Sequence, residues 1–200
     1  MVGIVVDTVL QAGLSPVVVV VPTNDAGIHA SLGDSVLYAE QIEPRGTGHA
    51  ALQAQNHLVH EGAVVVLSGD IPLIDPQTLE MLVDAHSCRG ATLTVLTSEI
   101  TNPKGLGRIV RSDDGRIAAI VEERLANTAT LEIREINSGV YCVNTAWLFK
   151  SLSKLKESPT GEIFLTDLVS LATHQGSIVE TVQTNDSNEV LGVNDLVELA

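Results

Sequence analysis

The sequence predicts an α/β fold, in which a mostly parallel, doubly wound sheet carries an antiparallel insertion. Two short valine-rich runs, residues 17–21 and 63–67, have the composition of strands that helices cover on both faces. Helical and extended patterns alternate along the first half of the chain, as they do in βαβ units. Residues 107–121 then contain a hairpin signal centred on Asp114-Gly115.

Periodicity and turn residues predict the individual elements. Residues 2–12 form an apolar helical stripe that ends at Gly13. In the first half, helices are predicted over residues 2–12, 25–32, 48–60 and from Pro76 onward, and strands over residues 17–21, 36–39, 63–67 and 91–96. In the second half, strands are predicted over residues 107–111, 116–121, 135–143 and 178–184, and helices over residues 145–155, 164–174 and after Asn194.

Composition and charge limit the class of protein. The 200 residues suit one domain, and its core is expected to be aliphatic because only 2% of the residues are aromatic. The formal net charge of −14 argues against nucleic acid and against an anionic membrane as partners. No Lys or Arg precedes Arg45, so the first part of the chain offers no cation to a phosphate.

Cysteine usage and hydropathy indicate a cytoplasmic protein. Cys88 and Cys142 lack a C-x-x-C partner, and both are predicted to be small core residues in a reducing compartment. The longest apolar run, around residues 17–21, is too short to span a bilayer. Met1 is followed by no basic region of the kind that opens a signal peptide.

Asp70 is the strongest candidate for chemistry because Ser68-Gly69-Asp70 follows a predicted buried strand. Ligands of open α/β sheets bind beyond the carboxyl ends of the strands, and a carboxylate there can hold Mg²⁺. The alternative is an aspartate that only forms a turn. Position alone does not separate the two hypotheses.

A second candidate is the glycine-rich segment from Gln41 to Gly48. Two glycines bracket Thr47 at a predicted helix start, where backbone amides can approach a ligand closely. The Gln41 amide offers both a donor and an acceptor, as the edge of a uracil requires. Taken alone, the segment is better explained by Thr47 as an ordinary N-cap, and His49 is given no functional role.

Three further polar positions have both a functional explanation and a purely structural one. Glu122, beside Glu123, suits the hydroxyls of a sugar or belongs to a solvated acidic face. Asn137 suits a ligand hydroxyl or starts a turn, and Asn194 suits a metal as a neutral ligand or caps the last helix. The chain contains no P-loop, G-x-S-x-G or H-E-x-x-H motif and no Ser-His-Asp order.

Seven motifs in one order resemble a known family. They are Q-x₄-G-T-G-H-A, S-G-D-I-P-L, G-L-G-R-I, I-V-E-E, E-I-N-S-G-V-Y, G-E-I-F-L-T-D and G-V-N-D. The set resembles the uridylyltransferase (pyrophosphorylase) domain of the bifunctional bacterial enzymes that make UDP-N-acetylglucosamine. This resemblance implies a Rossmann-like nucleotide-diphospho-sugar transferase sheet with a sugar-binding insertion.

The resemblance also implies roles for individual residues. The positions that would bind the uracil of UTP are Gln41, Gly46 and Thr47. The positions that would line the nucleotide are Ser68, Gly69 and Asp70. The catalytic positions that would hold Mg²⁺ are Asp70 and Asn194. The positions that would hold the amino sugar are Gly107, Glu122 and Asn137.

The implied reaction is attack by the phosphate of N-acetylglucosamine 1-phosphate on the α-phosphorus of UTP, with release of pyrophosphate. A sugar phosphate is already ionised at neutral pH, so no general base is needed and positioning with electrostatic stabilisation suffices. The alternatives are the same chemistry on another sugar 1-phosphate, and a domain that binds a nucleotide sugar without turnover.

The chain also departs from the family pattern. The family opens with a strand, a Gly-rich loop with an Arg, and a Pro-Lys pair, and all of these are absent from this sequence. In addition, Ser68 stands where the family often has a tyrosine. We therefore expect residues 1–200 to be one nucleotidyltransferase domain, truncated at the N-terminus and lacking the β-helix acetyltransferase domain. Such a fragment is expected to have severely reduced activity, and a homo-oligomer is expected only of the full-length enzyme.

Overall fold

Helices and strands alternate along the chain in the predicted order. The computed structural model describes residues 1–58, 61–159 and 161–193. Its helices are α1 (Val2–Gln11), α2 (Ala26–Leu32), α3 (Thr47–Gln53), α4 (Pro76–Cys88), α5 (Thr128–Leu131), α6 (Thr145–Leu152) and α7 (Asp167–His174). Its strands are β1 (Val18–Pro22), β2 (Leu37–Gln41), β3 (Ala63–Val66), β4 (Leu93–Glu99), β5 (Arg108–Arg111), β6 (Ile117–Val121), β7 (Glu135–Asn144) and β8 (Val179–Gln183).

Local side-chain chemistry explains where several helices begin. Four of them start after an Asp or Asn whose side-chain oxygen accepts a backbone N–H of the first turn. These N-cap residues are Asp25, Asp75, Asn127 and Asn144. Pro76 occupies the first position of α4, where the N–H that proline lacks has no partner within the helix.

The strands form two sheets. In the smaller one β1 pairs with β2 in parallel, and in the larger one the order is β6-β5-β7-β4-β8 with β3 also paired to β7. Strands β3, β4, β5 and β8 run in one direction and β6 and β7 in the other. The predicted α/β class is confirmed. In addition to the predicted features, β7 runs antiparallel between β3 and β4. It does so because the insertion brings the chain back to the C-terminal end of β4, and β7 then runs alongside β4 in the opposite direction.

Strands β3 and β5 lie along the same edge of β7. Both β3 and β4 pair with residues 141–143 of β7, so β3 and β4 lie on opposite edges of β7. Both β5 and β4 pair with Ile136, so β5 also lies on the edge opposite β4, which is the edge that β3 occupies. The chain therefore leaves β3 toward Asp70, and enters β5 from Gly107, on either side of the short stretch Asn137–Val140.

The two valine-rich strands are less buried than predicted. Val21 is 1% exposed, but the rest of β1 and all of β3 are only half-buried or exposed. Within the described chain, β1 is hydrogen-bonded to β2 alone and β3 to β7 alone, so each strand has one open edge. The most buried strand is instead β4, in which only Glu99 is exposed and which β7 and β8 flank on both edges.

Helices cover both faces of the large sheet, as a doubly wound fold requires. On one face Val95 and Val143 pack with residues of α6 and α7. On the other face Leu96 and Cys142 pack with residues of α1 and α4. Cys142 is therefore a core residue as predicted. The same prediction for Cys88 is wrong, because Cys88 lies at the exposed last position of α4.

Element ends differ from the sequence-based bounds by a few residues. Helix α3 ends at Gln53 and continues as a 3₁₀ turn over Ala54–His57, and α7 begins at Asp167 instead of residue 164. The helix predicted after Asn194 lies outside the described residues. Among the helices that are described, none combines the length and apolar character that a membrane span requires.

Candidate active site

Asp70 lies against the stretch that leads to Asn194. The backbone carbonyl of Asp70 accepts the N–H of Val193 at 2.8 Å. A Cβ atom added to Gly192 would lie 3.5 Å from Asp70 Oδ2, so this glycine keeps the space beside the carboxylate open. Asn194 itself lies outside the described residues. Its predicted pairing with Asp70 stays a prediction, although the residue before it is hydrogen-bonded to Asp70.

The Asp70 carboxylate suits a divalent metal ion. It is half-buried, and within the described chain it has neither a hydrogen bond nor an ion pair. No group of three or more acidic, His or Cys side chains comes together among the described residues. A magnesium ion needs no such group, because it is held by one or two carboxylates and takes its other oxygen ligands from phosphates and water. Asp70 alone therefore fits a metal that a phosphate chain also coordinates.

Ser68 and Gly69 form the exposed turn between β3 and Asp70. A Cβ atom on Gly69 would lie 3.5 Å from Val2 Cγ2, so this turn passes close to the start of α1. Both residues are exposed, and lining a nucleotide stays a prediction for them.

The glycines before α3 are required by the approach of the protein's own chain. Gly46 has φ +95°, and a Cβ atom there would lie 2.6 Å from the carbonyl oxygen of Ile163. Ile163 N–H donates to Arg45 at 2.8 Å, and Gly48 N–H donates to Ile163 at 2.9 Å. The Gly48 amide is therefore already used and is not available to a ligand. That the amides of Gly46 and Thr47 face a ligand stays a prediction.

Thr47 also binds this approaching stretch. The N-cap position of α3 belongs to Gly46, so the alternative explanation of Thr47 as an N-cap is wrong. The Thr47 hydroxyl instead accepts the N–H of Leu165 at 3.0 Å. We call Glu162–Thr166 the linking segment. Its contacts give the loop before α3 a fixed shape, and a role for Thr47 in binding uracil stays a prediction.

His49 orients the Gln41 side chain. Gln41 Nε2 lies 2.9 Å from His49 Nδ1 and 3.3 Å from the carbonyl oxygen of Gly46. His49 is contacted in turn by Gln53, one helical turn further on, at 3.3 Å. The donor half of the Gln41 amide is thus engaged within the protein. The side-chain carbonyl oxygen of Gln41, which has no partner among the described residues, is the part of this amide that is available to a ligand.

The three predicted sugar-binding residues come together from three strands. Asn137 N–H donates to the carbonyl oxygen of Gly107 at 2.9 Å. A Cβ atom on Gly107 would lie 3.6 Å from Asn137 Cβ and 3.7 Å from Glu122 Oε2. Gly107 precedes β5, Glu122 follows β6 and Asn137 lies in β7. The geometry shows that these residues are neighbours, and binding a sugar stays a prediction.

Tyr141 supports this cluster from within the core. It is 3% exposed. Burial raises the pKa of Tyr141 well above its usual value, the Asn137 side chain opposes this rise, and the charge of Glu122 adds to it. Tyr141 is therefore a neutral phenol that lies beside Asn137 and Glu122. Sequence reasoning missed it because a tyrosine in a buried strand is typical of a core.

Thr166 completes the cluster and was also missed. Its hydroxyl donates to Glu122 Oε1 at 2.9 Å. The only signal in the sequence is the motif G-E-I-F-L-T-D, which contributes to the family resemblance without indicating which of its residues is polar toward the site. Arg124 holds the other end of the linking segment, because it pairs with Glu162 and lies 4.7 Å above the Phe164 ring.

An open cavity of about 540 Å³ lies beside Glu122. Its lining residues are Gly105, Glu122, Glu123, Arg124 and Leu131. This volume lies within the range of small-molecule sites. The cavity and the sugar-binding candidates lie where the chain enters β5, and Asp70 lies where the chain leaves β3. Both places lie along one edge of β7, so the two halves of the candidate site are adjacent.

These features define an α/β domain with polar residues gathered along one edge of β7 in its large sheet. The particular family follows from comparison with known proteins: the chain belongs to the nucleotidyl transferase family, whose profile matches residues 1–196.

Curated relatives carry the same assignment further. The chain is 42% identical over 195 residues to the bifunctional protein GlmU of Acetivibrio thermocellus. The aligned region covers 96% of this chain and 42% of that protein. It is 43% identical over 202 residues to the bifunctional protein GlmU of Bacillus cereus. Here the aligned region covers 100% of this chain and 44% of that protein. The resemblance predicted from the seven motifs is confirmed. The chain spans less than half the length of these relatives.

A solved structure supports the fold. The chain superposes on UDP-glucose pyrophosphorylase complexed with UDP-glucose with a TM-score of 0.73, covering 94% of this chain and 80% of that one. The two sequences are 18% identical, so this comparison bears on the fold alone.

Proposed function

We propose that this domain transfers a uridylyl group from UTP to N-acetylglucosamine 1-phosphate, giving UDP-N-acetylglucosamine and pyrophosphate. The observation that carries the proposal is the meeting of Gly107, Glu122 and Asn137 along the sheet edge at which Asp70 also lies. The similarity to GlmU proteins over nearly the whole chain supports the choice of nucleotide and sugar.

The proposed reaction is an in-line displacement at phosphorus. An oxygen of the sugar phosphate forms a bond to the α-phosphorus of UTP. The bond from that phosphorus to the oxygen that bridges the α- and β-phosphates breaks, and pyrophosphate leaves with the electron pair. The attacking phosphate is already ionised, so the protein has to align the two substrates and stabilise charge.

The residues of this chain divide that work between two ends of the site. At the nucleotide end, Gln41 offers its carbonyl oxygen to uracil. Gly46 and Thr47 act there through the shape of a loop that the linking segment holds. Ser68 and Gly69 line the phosphates. At the sugar end, Glu122 accepts the Thr166 hydroxyl and so presents its second oxygen to a sugar hydroxyl.

Asp70 and Asn194 would hold the metal ion, for which we propose Mg²⁺. A bound magnesium ion would neutralise charge on the phosphates of UTP. Because UTP and sugar 1-phosphates are metabolites of the cytoplasm, we also place the domain in that compartment.

Substrate preference tests the proposal. The chain is incubated with Mg²⁺, one of UTP, CTP or dTTP, and N-acetylglucosamine 1-phosphate or glucose 1-phosphate, while pyrophosphate release is followed. We expect release to be fastest with UTP and N-acetylglucosamine 1-phosphate. A preference for dTTP with glucose 1-phosphate would contradict the proposal.

Calorimetry with UDP-N-acetylglucosamine separates catalysis from binding alone. Binding of this compound by a chain that shows no turnover would indicate a nucleotide-sugar-binding domain instead of an active transferase. Measurable turnover would remove that alternative.

A further inference from the structure

Arg108, the first residue of β5, is a buried cation. It is 2% exposed, and its Nη2 atom lies 3.0 Å from Glu123 Oε2. Its Nη1 atom donates to the carbonyl oxygen of Leu106. The Nε atom is buried without a hydrogen-bond partner among the described residues. A buried guanidinium is costly unless it is paired, so its ion pair with Glu123 must be kept intact.

The same oxygen of Glu123 binds a second donor. Glu123 Oε2 accepts the N–H of Gly105 at 2.6 Å. The Gly105 amide and then the Arg108 guanidinium lower the pKa of Glu123, which keeps this carboxylate ionised. Gly105 and Leu106 belong to the turn just before Gly107. One carboxylate therefore ties down the turn that delivers Gly107 to the candidate sugar-binding cluster.

Glu123 also determines where its neighbour Glu122 points. The backbone at Glu122 is extended, with φ −60° and ψ 139°, so successive side chains leave the chain in different directions. Glu122 meets Thr166, and Glu123 meets Gly105 and Arg108. Holding Glu123 against the turn thus helps to hold Glu122 beside Gly107 and Thr166.

We propose that Glu123 and Arg108 are positioning residues for the sugar end of the site. Neither is assigned a contact with a ligand. They hold Gly107 and Glu122 at the distance that a sugar requires, and the identity of that sugar rests on the proposed function. A pair that only stabilised the fold would not discriminate between the sugar and the nucleotide portions of a ligand.

Two ligands that share a nucleotide distinguish these roles. UDP-N-acetylglucosamine and UDP are titrated by calorimetry into the wild-type chain and into Glu123→Ala. The Kd of UDP-N-acetylglucosamine should rise about tenfold, as expected for the loss of one good hydrogen bond, while the Kd of UDP stays unchanged. Glu123→Gln keeps an acceptor for Gly105 and should recover part of the affinity.

Asp114→Ala is the matched control. Asp114 lies in the turn of the same hairpin, and its carboxylate likewise accepts bonds from two residues, Ser112 and Arg116. We expect it to change neither Kd. Equal weakening of both ligands in Glu123→Ala, or no weakening of either, would overturn the inference. A wild-type chain that binds neither ligand would contradict the proposed function instead.

Amide hydrogen exchange tests the inference without a ligand. The Asn137 N–H donates to Gly107, so its exchange rate reports on the position of Gly107. In Glu123→Ala, which removes the acceptor of the Gly105 N–H, exchange at Gly105 and Asn137 should accelerate about tenfold relative to the wild type, whereas Asp114→Ala should leave it unchanged. Unchanged exchange in Glu123→Ala would overturn the inference whatever the chain binds.

Discussion

Thr166 donates a hydrogen bond to Glu122 across 2.9 Å, although the two residues lie 44 positions apart in the sequence. This bond joins the end of the hairpin insertion to the start of α7. Through Ile163 and Leu165, the same linking segment also binds the loop before α3. The candidate nucleotide-binding and sugar-binding residues are therefore held in place by one stretch of chain.

Replacing Thr166 by Val should weaken sugar binding selectively. The valine keeps the shape of the side chain but removes the donor to Glu122. Calorimetry should show UDP-N-acetylglucosamine binding about fivefold to tenfold more weakly, with UDP unaffected. Thr173→Val is the control, because Thr173 lies in α7 and its hydroxyl donates to the carbonyl oxygens of Ala118 in β6 and Ser170 in α7 instead of to Glu122. If Thr173→Val weakened binding equally, the effect could not be assigned to Glu122.

Replacing Asp70 by Asn should remove activity without loss of stability. The carboxylate has no protein partner in the described chain, so the free energy of unfolding should not fall. Turnover with Mg²⁺ should fall about 100-fold or more because a charged ligand of the metal is lost. The control is Asp75→Asn, since asparagine caps a helix as well as aspartate does. Retention of the Mg²⁺-dependent rate in Asp70→Asn would show that the metal is held elsewhere.

Replacing Gly46 by Ala should be strongly destabilising. The new methyl group would meet the Ile163 carbonyl oxygen at 2.6 Å, and the backbone has φ +95°. We expect the free energy of unfolding in urea to fall by about 3 kcal/mol, of which the backbone conformation accounts for about 1 kcal/mol.

Gly62→Ala separates these two contributions. Gly62 has φ +78°, but a Cβ atom there meets nothing within 4 Å among the residues that the structure describes. This variant should lose only the conformational part, about 1 kcal/mol. Equal losses in Gly46→Ala and Gly62→Ala would show that the linking segment moves aside without cost.

Stability should fall as the pH drops below about 6.5 because of His86. His86 lies in the core, with its Nδ1 atom 3.0 Å from Thr94 Oγ1, and burial lowers its pKa from the ordinary 6.5. Just below the ordinary pKa, His86 therefore binds a proton in the unfolded chain but stays neutral in the folded chain. The stabilisation is complete above pH 6.5 and is lost as the pH falls toward the lowered pKa.

Urea unfolding at about pH 7.5 and about pH 5.5 measures this effect. His86→Gln retains a hydrogen-bonding group but no titrating one, so its stability should change less between the two pH values. An identical pH dependence in wild type and His86→Gln would mean that another group is responsible.

Much of the fold could be predicted because its signals are local. Gly13 follows the end of α1, Pro76 begins α4, and Asp114-Gly115 turns the hairpin, all where the sequence indicates. The burial of the valine-rich runs could not be predicted in the same way. It depends on how many neighbours each strand has in the sheet, and β1 and β3 have one neighbour each in the described chain.

Some candidate residues carried too little information to be assigned from sequence. Glu122 and Glu123 are identical in type and adjacent, yet one meets Thr166 and the other anchors Gly105. His49 was given no role, yet it holds the Gln41 amide. Their partners lie on other elements, and residue type does not reveal which of two neighbouring side chains meets them.

By itself, the sequence determined the α/β class, the order of elements, the aliphatic core and the family. These follow from short-range periodicity, turn chemistry and the order of motifs. Only the tertiary structure decided that the glycines beside Thr47 accommodate Ile163, that Thr166 and Tyr141 support the sugar-binding candidates, and that β7 runs antiparallel between β3 and β4. Each of these depends on contacts between distant parts of the chain, which arise when strands pair and side chains pack.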